Sequence, residues 1–153
     1  LSPHDLGAEV IRYFAPDQEK AMAISLQSFS YKRGTPRGVD MMFDCRFLRN
    51  PYWDKDLRSK NGLNAAVQAY VGEDTNFTPF RKKILEFADF VIPAHIVEGR
   101  SHLTFGFGCT GGKHRSVTIV EVVRKDLQLR GWHVTIRHRE LVEQTTYKST
   151  YKY

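Results

Sequence analysis

Apolar and polar positions alternate in four segments of the chain, and this alternation predicts β-strands. The segments are 23–29, 41–47, 103–107 and 132–136. A period of two residues places every second side chain on the same face of a sheet, so each segment is expected to bury one face of a strand. The sheet is therefore expected to hold about four to five strands.

Helical spacing of apolar residues predicts two longer helices. The Thr78-Pro79 pair suits an N-cap and first turn, and Pro93 is expected to kink or end the helix that follows. Another helix is expected from near His114 to a C-terminal stop at Gly131. The inner stripes consist of Phe80, Ile84, Phe87 and Val91 in the first helix and of Val117, Val120, Val123 and Leu127 in the second.

The remaining segments complete the expected domain. Residues 65–71 fit a short helix, residues 49–62 a long loop, and residues 5–14 a short helix or a linker. Because helices fall between the later strands, the order predicts an α/β layered domain, with a mostly parallel sheet flanked by helices. We expect one domain over residues 1–153, with residues 142–153 as a flexible tail.

The chain carries a modest positive charge, which is concentrated near its C-terminal end. Its formal net charge is +6, and seven Lys or Arg against three Asp or Glu follow residue 123. This excess favours a polyanionic partner such as RNA, although a solvated surface would also account for it. The candidate RNA-binding residues are Arg124, Lys125, Arg130, Arg137 and Arg139.

The cysteine content and the hydropathy favour a soluble, cytoplasmic protein. Cys45 and Cys109 are the only cysteines, which argues against a disulfide scaffold and against a cysteine-rich zinc site. The histidines show no paired helical spacing with carboxylates, so neither a metal nor a cofactor is expected. No run of about 18 apolar residues is present, so no membrane association is expected either.

The most informative segment is the glycine loop, residues 108–116, which reads Gly-Cys-Thr-Gly-Gly-Lys-His-Arg-Ser. It joins a predicted strand to a predicted helix, so backbone N–H groups and the positive end of the helix dipole are expected to face one point. Lys113 and Arg115 add two cations there, which the dipole disfavours unless an anion binds. A phosphate is the expected ligand. The loop is not an ATPase P-loop, because Phe107 and His114 replace two residues that this motif requires.

The loop also fits the Cys-x5-Arg pattern of cysteine-dependent phosphatases, with Cys109 and Arg115 at its ends. A thiolate stabilised by the loop could act as a nucleophile, and Asp44 or Asp54 could supply the acid. Gly108, however, stands where such enzymes usually carry His, and a small thiol filling a tight turn explains Cys109 equally well. A non-catalytic domain is therefore expected, with a phosphatase as the alternative.

Two further pairs of side chains are candidates for the site. Asp44 and Arg46 fit contacts to sugar hydroxyls or an amine, and they fit a structural ion pair equally well. Tyr52 and Trp53 fit either a pocket wall or an aromatic cluster packed on the domain. The histidines expected to serve as hydrogen-bonding fixtures are His114 and His138.

Motifs along most of the chain form a recognisable set. They are Asp44, Arg46-Phe47-Leu48, Asn50-Pro51, Trp53-Asp54, Leu57-Arg58, Gly62-Leu63, the glycine loop with Val117, and Arg137-His138-Arg139. Together they resemble the C-terminal domain of the RapZ/YvcJ family, known as RNase adapter or nucleotide-binding proteins. The resemblance covers about residues 1–141, and the glycine loop is quite specific to the family.

This resemblance implies a fold similar to a phosphofructokinase subdomain, self-association into a homo-oligomer, and sensing of glucosamine-6-phosphate. It also implies an adapter that binds small regulatory RNA and presents it to a ribonuclease. Full-length members resemble a Walker A nucleotide-binding domain followed by this domain, and the Walker A domain is missing here. The implied ligand-binding residues are Asp44, Arg46, Cys109, Thr110, Gly111, Gly112, Lys113, His114, Arg115 and Ser116. The candidate pocket wall is formed by Asn50, Tyr52 and Trp53.

Two departures from the family pattern limit what can be transferred. RNA-binding members end in a short Lys/Arg cluster soon after the Arg-His-Arg motif, whereas this chain continues Glu-Leu-Val-Glu-Gln over residues 140–144. The expectation of RNA binding is weaker for that reason. Tyr52 stands where the motif often has His, so no role of that imidazole is carried over.

Overall fold

A computed structural model describes residues 22–141, which form a four-stranded parallel sheet with helices. The strands are β1 (Ala23–Ser30), β2 (Met41–Asp44), β3 (His102–Cys109) and β4 (His133–His138). The α/β class and the parallel sheet predicted from the sequence are confirmed. The predicted segments 5–14 and 142–153 lie outside the described residues.

The strand order is β2-β3-β1-β4, and the register aligns the carboxyl ends of all four strands. Ser30 at the end of β1 pairs with Cys109 at the end of β3. Asp44 at the end of β2 pairs with Gly108, and His138 at the end of β4 pairs with Ser28. The segments that follow the strands therefore meet at one edge of the sheet, which we call the carboxyl edge.

Three helices pack on one face of the sheet: α1 (Ala65–Gly72), α2 (Phe77–Val97) and α3 (Arg115–Leu129). Helix α3 lies directly against β1, β3 and β4, and α1 and α2 pack beside it. Alternate strand residues enter this core, among them Leu26, Phe105 and Val134. The predicted inner face of α3, formed by Val117, Val120, Val123 and Leu127, is buried.

The second face of the sheet carries polar side chains. Ser25, Gln27, Thr104, Thr135 and Arg137 point to it, and none of them belongs to the hydrophobic core. No α-helix of residues 22–141 packs against this side, which we call the open face. The segment after β1, which includes a 3-10 turn at Tyr31–Arg33, covers the part of this face around the buried Phe29.

Helix α2 differs from its prediction at its start, and it does not end at Pro93. It begins at Phe77, with Asn76 rather than Thr78 at the N-cap position, and it continues through Pro93 to Val97. Ile92 is fully buried beside the proline, and the turn beyond it packs on the same core. Burial on both sides of Pro93 therefore outweighs the local cost of the missing N–H.

The predicted inner stripe of α2 is only partly correct. Ile84, Ala88 and Ile92 are the buried residues in its middle, whereas Phe87 is 41% exposed and touches Phe43 with its edge. Helix α2 packs beside α3, and Ala88 is buried within the core. Position in the layer, rather than the size of the apolar side chain, decides which residues the helix buries.

The strand ends also differ from the sequence prediction. Strand β2 stops at Asp44 rather than at Phe47, and the chain then turns, with the Leu48 N–H donating to the Cys45 carbonyl at 3.2 Å. Strand β4 extends to His138, so its last two residues belong to the sheet rather than to a polar tail. Among residues 22–141, no helix is long and apolar enough to cross a lipid bilayer.

Candidate functional site

The glycine loop lies at the carboxyl edge, between β3 and the N-terminal end of α3. Its predicted position and the helix that follows it are confirmed. The first turn of α3 contains no acidic residue, and the N-cap residue, His114, makes no capping hydrogen bond with its side chain. Within residues 22–141, the helix therefore presents its positive dipole end to the loop without a carboxylate or hydroxyl cap.

Two glycines of the loop are required by close packing. Gly112 has a φ of +70°, and a Cβ there would lie 2.7 Å from the Ser30 nitrogen and 2.6 Å from Glu140 Cγ. A Cβ on Gly108 would lie 2.5 Å from the Tyr31 ring. Gly111, in contrast, has no atom within 4 Å of a Cβ position, so the middle of the loop borders open space that a ligand could enter.

Gly62, in the segment before α1, packs against the C-terminal part of the glycine loop and the start of α3. Its N–H donates to the Lys113 carbonyl at 2.7 Å. A Cβ on Gly62 would lie 2.6 Å from the His114 carbonyl oxygen and 2.7 Å from the Thr118 nitrogen. Residues 49–62 are therefore an ordered part of the site, with a 3-10 turn at Pro51–Trp53.

Cys109 is buried at the base of the loop. Its side chain is 2% exposed, with Sγ 3.1 Å from Ser116 Oγ, and the Ser116 N–H donates to the same sulfur at 3.4 Å. Cys45 lies nearby on the neighbouring strand end, and burial, followed by the proximity of Cys109, raises the pKa of its thiol. Both cysteines are free. Cys109 and Ser116 thus hold the loop onto the helix.

Arg115 is also buried, at 5% exposure, and its guanidinium is engaged by other parts of the chain. Nη1 donates to the backbone carbonyls of Arg46, at 2.5 Å, and Leu48, at 3.3 Å. Nη2 donates to Thr110 Oγ1 at 3.3 Å, and Nε is buried without a partner. Arg115 therefore ties the turn after β2 to the glycine loop, while its predicted contact with a phosphate stays a prediction.

Lys113 and His114 complete the loop. Lys113 is exposed, and its ammonium group has no hydrogen-bond or ion-pair partner among residues 22–141. His114 Nε2 is buried and unpartnered. Burial lowers the pKa of this imidazole, although the backbone of Lys60 and Arg58 favours its protonated form. Of the predicted cations in the loop, Lys113 is the one whose charge is available to a ligand.

Asp44 and Arg46 form an ion pair beside the loop. Arg46 Nη2 donates to Asp44 Oδ2 at 2.7 Å and Nε donates to Oδ1 at 3.0 Å, and the guanidinium lies 3.9 Å from the centre of the Tyr31 ring. The Arg46 hydrogen bonds hold the pKa of Asp44 below its usual range. Both side chains are about half exposed, so a structural pair and a ligand contact are compatible with the same geometry.

The candidate pocket wall is an exposed aromatic pair. Asn50 caps the short turn by accepting the Tyr52 N–H at 3.1 Å. The rings of Tyr52 and Trp53 meet edge to face with centres 5.5 Å apart, and Trp53 is 76% exposed. Arg58 Nε donates to the Tyr52 carbonyl at 2.7 Å. The pair therefore sits on the surface, and its role as a wall stays a prediction.

Glu140, after β4, and Ser30, at the end of β1, contact the other side of the loop, and the sequence analysis singled out neither of them. Glu140 is 2% exposed and accepts from Arg139 Nε at 2.8 Å and from Arg33 at 3.4 Å. Ser30 Oγ donates to the Thr110 carbonyl at 2.6 Å. The Arg-His-Arg motif with an adjacent carboxylate was the available signal, but it gave no indication that Glu140 is buried against Gly112.

His138 belongs to a buried polar network beneath this edge. Its Nδ1 lies 2.7 Å from Ser28 Oγ and its Nε2 lies 3.4 Å from Glu121 Oε2. Burial lowers the pKa of His138 despite the nearby Glu121 carboxylate. Ser28 is completely buried, so this serine, histidine and glutamate cannot meet a substrate and serve as a structural network.

The predicted RNA-binding residues do not form one surface. Arg124, Lys125 and Arg130 lie on α3 or at its end, whereas Arg137 lies on the open face and Arg139 at the carboxyl edge. Arg124 is paired with Glu121, Arg130 with Asp89, and Arg139 with Glu140. RNA binding stays a prediction, and these residues offer only Lys125 and Arg137 as unpaired cations within the described part of the chain.

The fold and this edge define a class of protein: an α/β domain whose parallel sheet ends in a glycine-rich, basic loop at a helix N-terminus. The described residues contain no group of three or more His, Cys, Asp or Glu that could hold a metal ion. A family model, the RapZ C-terminal domain, matches residues 22–142. The chain belongs to this family, as the motifs predicted.

Several relatives of the chain are described as nucleotide-binding proteins. A nucleotide-binding protein of Cereibacter sphaeroides is 55% identical over 141 residues, which covers 92% of this chain and 47% of the relative. Nucleotide-binding proteins of Dinoroseobacter shibae and Ruegeria pomeroyi are 52% identical over 141 residues, covering 92% of this chain and 47% and 50% of the relatives. The chain thus spans about half the length of the curated relatives it matches.

Proposed function

We propose that this domain is a non-catalytic sensor of an amino-sugar phosphate, glucosamine-6-phosphate, and acts as the regulatory part of an RNase adapter. One observation carries the proposal: within residues 22–141, a helix N-terminus that lacks a carboxylate or hydroxyl cap meets a glycine loop with an open middle and a lysine that has no partner. Helix N-termini with such loops bind phosphate, because their N–H groups and dipole favour an anion.

The ion pair beside the loop supports an amino sugar as the ligand. Asp44 is ionised at neutral pH, because Arg46 lowers its pKa, and an exposed carboxylate can accept hydrogen bonds from an ammonium group or from sugar hydroxyls. Asp44 pairs with Gly108 across the sheet, so it lies next to the start of the loop. Phosphate in the loop and the amino group near Asp44 would use both features at once.

The burial of Cys109 supports binding rather than catalysis. A nucleophilic cysteine must present its sulfur to the substrate, whereas this side chain is 2% exposed and its sulfur is hydrogen-bonded to Ser116. Arg115, the other end of the phosphatase pattern, holds backbone carbonyls instead. Hydrolysis of an aryl phosphate that is lost in Cys109→Ser would contradict the proposal and favour a phosphatase.

Titration calorimetry with glucosamine-6-phosphate and with glucosamine tests the ligand. We expect binding of the phosphate only, and Lys113→Gln should weaken it about tenfold by removing one charge-assisted contact. Lys125→Gln changes the net charge equally at an exposed position near the other end of α3 and should leave the affinity within about twofold. Equal binding of both sugars, or binding of neither, would contradict the proposal.

The adapter role includes self-association and contacts with small regulatory RNA and a ribonuclease. These partners rest on family membership. Light scattering would show the homo-oligomer. A gel-shift titration at two salt concentrations would show RNA contact, because phosphate contacts weaken as the salt concentration rises. Salt-independent retention of RNA would argue against a basic contact surface.

A further inference from the structure

The open face carries a pocket that neither the family nor the glycine loop explains. It has a volume of about 290 Å³ and lies between β1, β3 and β4 and the loop that contains Arg37 and Gly38. This size is at the lower end of small-molecule sites in proteins. The glycine loop does not contribute to its lining, so the pocket is separate from the site proposed above.

Two arginines of the pocket stand apart from the other arginines of residues 22–141. The guanidinium groups of Arg37 and Arg137 have no hydrogen-bond, ion-pair or ring partner within that range. Every other arginine there donates a hydrogen bond to a carboxylate or a carbonyl oxygen. The two unpaired guanidinium groups of the described chain therefore border the same cavity.

Hydroxyl and amide groups form the floor of the pocket. Thr104, Ser25 and Thr135 are in register across β3, β1 and β4. Ser25 Oγ lies 3.2 Å from Thr135 Oγ1 and 3.2 Å from His102 Nε2. In the next row Gln27 lies between Gly106 and Arg137. The sheet thus presents a row of oriented hydrogen-bonding groups.

No carboxylate lines the pocket. The nearest one in the described loop, Asp40, is already engaged: Oδ2 accepts the Thr104 N–H at 2.8 Å and Oδ1 accepts from Arg100 at 2.8 Å. The pocket therefore combines two uncompensated cations with neutral hydrogen-bonding groups. Guanidinium groups match phosphate oxygens in geometry and charge, and hydroxyl and amide groups match sugar or polyol hydroxyls.

We propose that the open-face pocket is a second anion site, which binds a phosphate monoester of a small polyhydroxylated molecule through Arg37 and Arg137. The phosphate would lie between the two guanidinium groups. The hydroxyl-bearing part would lie over the row formed by Ser25, Thr104 and Thr135. This site would act independently of the glycine loop, because the two lie on different parts of the sheet.

The test is an amide proton–nitrogen NMR titration of the 153-residue chain with glycerol 3-phosphate at constant ionic strength. Saturable shifts are expected at Ser25, Gln27, Gly38, Thr104 and Thr135. Glycerol should cause no such shifts. Phosphate-induced shifts confined to residues 110–114 would support the glycine loop and overturn the open-face site.

Matched variants decide whether the arginines are responsible. Arg37→Gln/Arg137→Gln should weaken the affinity measured from the pocket shifts at least about tenfold, because two charge-assisted contacts are lost. Lys82→Gln/Lys83→Gln removes two charges from exposed positions of α2 and should leave the affinity within about twofold. Equal weakening in both double variants, or none in the arginine variant, would overturn the proposal.

A conservative variant keeps the proposal testable if the double arginine variant does not fold. Arg137→Lys keeps the charge but loses the forked donor, so an intermediate affinity is expected. The Lys113→Gln variant should keep the pocket shifts unchanged while losing those of the glycine loop. If Lys113→Gln abolishes both sets of shifts, the pocket is not an independent site and the proposal fails.

Discussion

The carboxyl edge and the open face of the same sheet both carry arginines, but they use them differently. At the carboxyl edge, Arg115 and Arg139 hold backbone carbonyls of neighbouring segments, and Arg46 is paired with Asp44. On the open face, Arg37 and Arg137 are unpaired within residues 22–141. The comparison shows that the arginines near the glycine loop stabilise its shape. The positive charge available to a ligand lies instead on Lys113 and on the two arginines of the open face.

Close packing of the carboxyl edge predicts the largest effect, at Gly112. Gly112→Ala should lower the free energy of unfolding by about 2–5 kcal/mol, because alanine disfavours positive φ and its Cβ would overlap Ser30 and Glu140. Urea denaturation measures this loss. Gly111→Ala, in open space one residue away, should change the same quantity by less than about 1 kcal/mol. Similar losses in both variants would show that close packing does not distinguish Gly112 from Gly111.

Arg115 provides the next largest effect. Arg115→Met should lower the free energy of unfolding by about 2–4 kcal/mol, because the buried carbonyls of Arg46 and Leu48 lose their donor. The exposed Lys125→Met serves as the control and should stay within about 0.5 kcal/mol of the wild type. If Arg115→Met loses affinity for glucosamine-6-phosphate at unchanged stability, Arg115 is a direct ligand rather than a structural tie.

The buried network beneath the edge predicts a smaller, pH-dependent effect. Burial places the native pKa of His138 below 6.5, its usual value. Between these two pKa values the unfolded chain binds more protons than the native one. The stability that the neutral His138 contributes is therefore fully present above about pH 6.5 and is lost as the pH falls through the native pKa. The slope for this one group is at most about 1.4 kcal/mol per pH unit.

Urea denaturation between pH 5.5 and 7.5, in roughly half-unit steps, measures this slope. His138→Gln should flatten it, although His114, whose pKa is also lowered, keeps a contribution of the same sign in both proteins. The exposed His133→Gln variant controls for the loss of one imidazole. A steeper slope in His138→Gln would show that the network favours the charged imidazole.

The fold class was predictable because strand alternation and helix stripes are local patterns. The β3 alternation, the glycine loop and the apolar face of α3 all appear in consecutive residues, and the structure confirms them. Helix α2 was harder to predict. Pro93 is locally unfavourable inside a helix, and only the burial of Ile92 and its surroundings explains why the helix continues.

The site was predictable in position but not in the use of each side chain. Arg115 in a basic loop looks like a phosphate ligand, and only the three-dimensional arrangement brings the carbonyls of Arg46 and Leu48 to its guanidinium. The burial of Glu140 against Gly112 is likewise a long-range contact. The open-face pocket was not predicted, because its lining comes from three strands and a loop that are far apart in sequence.

The strand order also has a consequence for how the domain folds. Ala23 pairs with His102 and with His133, and Met41 pairs with Phe105, so every strand pairing joins residues at least 64 positions apart in the sequence. Each pairing must close a long loop before it gains any stabilising contact, which makes folding slow compared with a helical bundle. During synthesis, β1 keeps an unpaired edge until β4 emerges, and that edge is available to other chains.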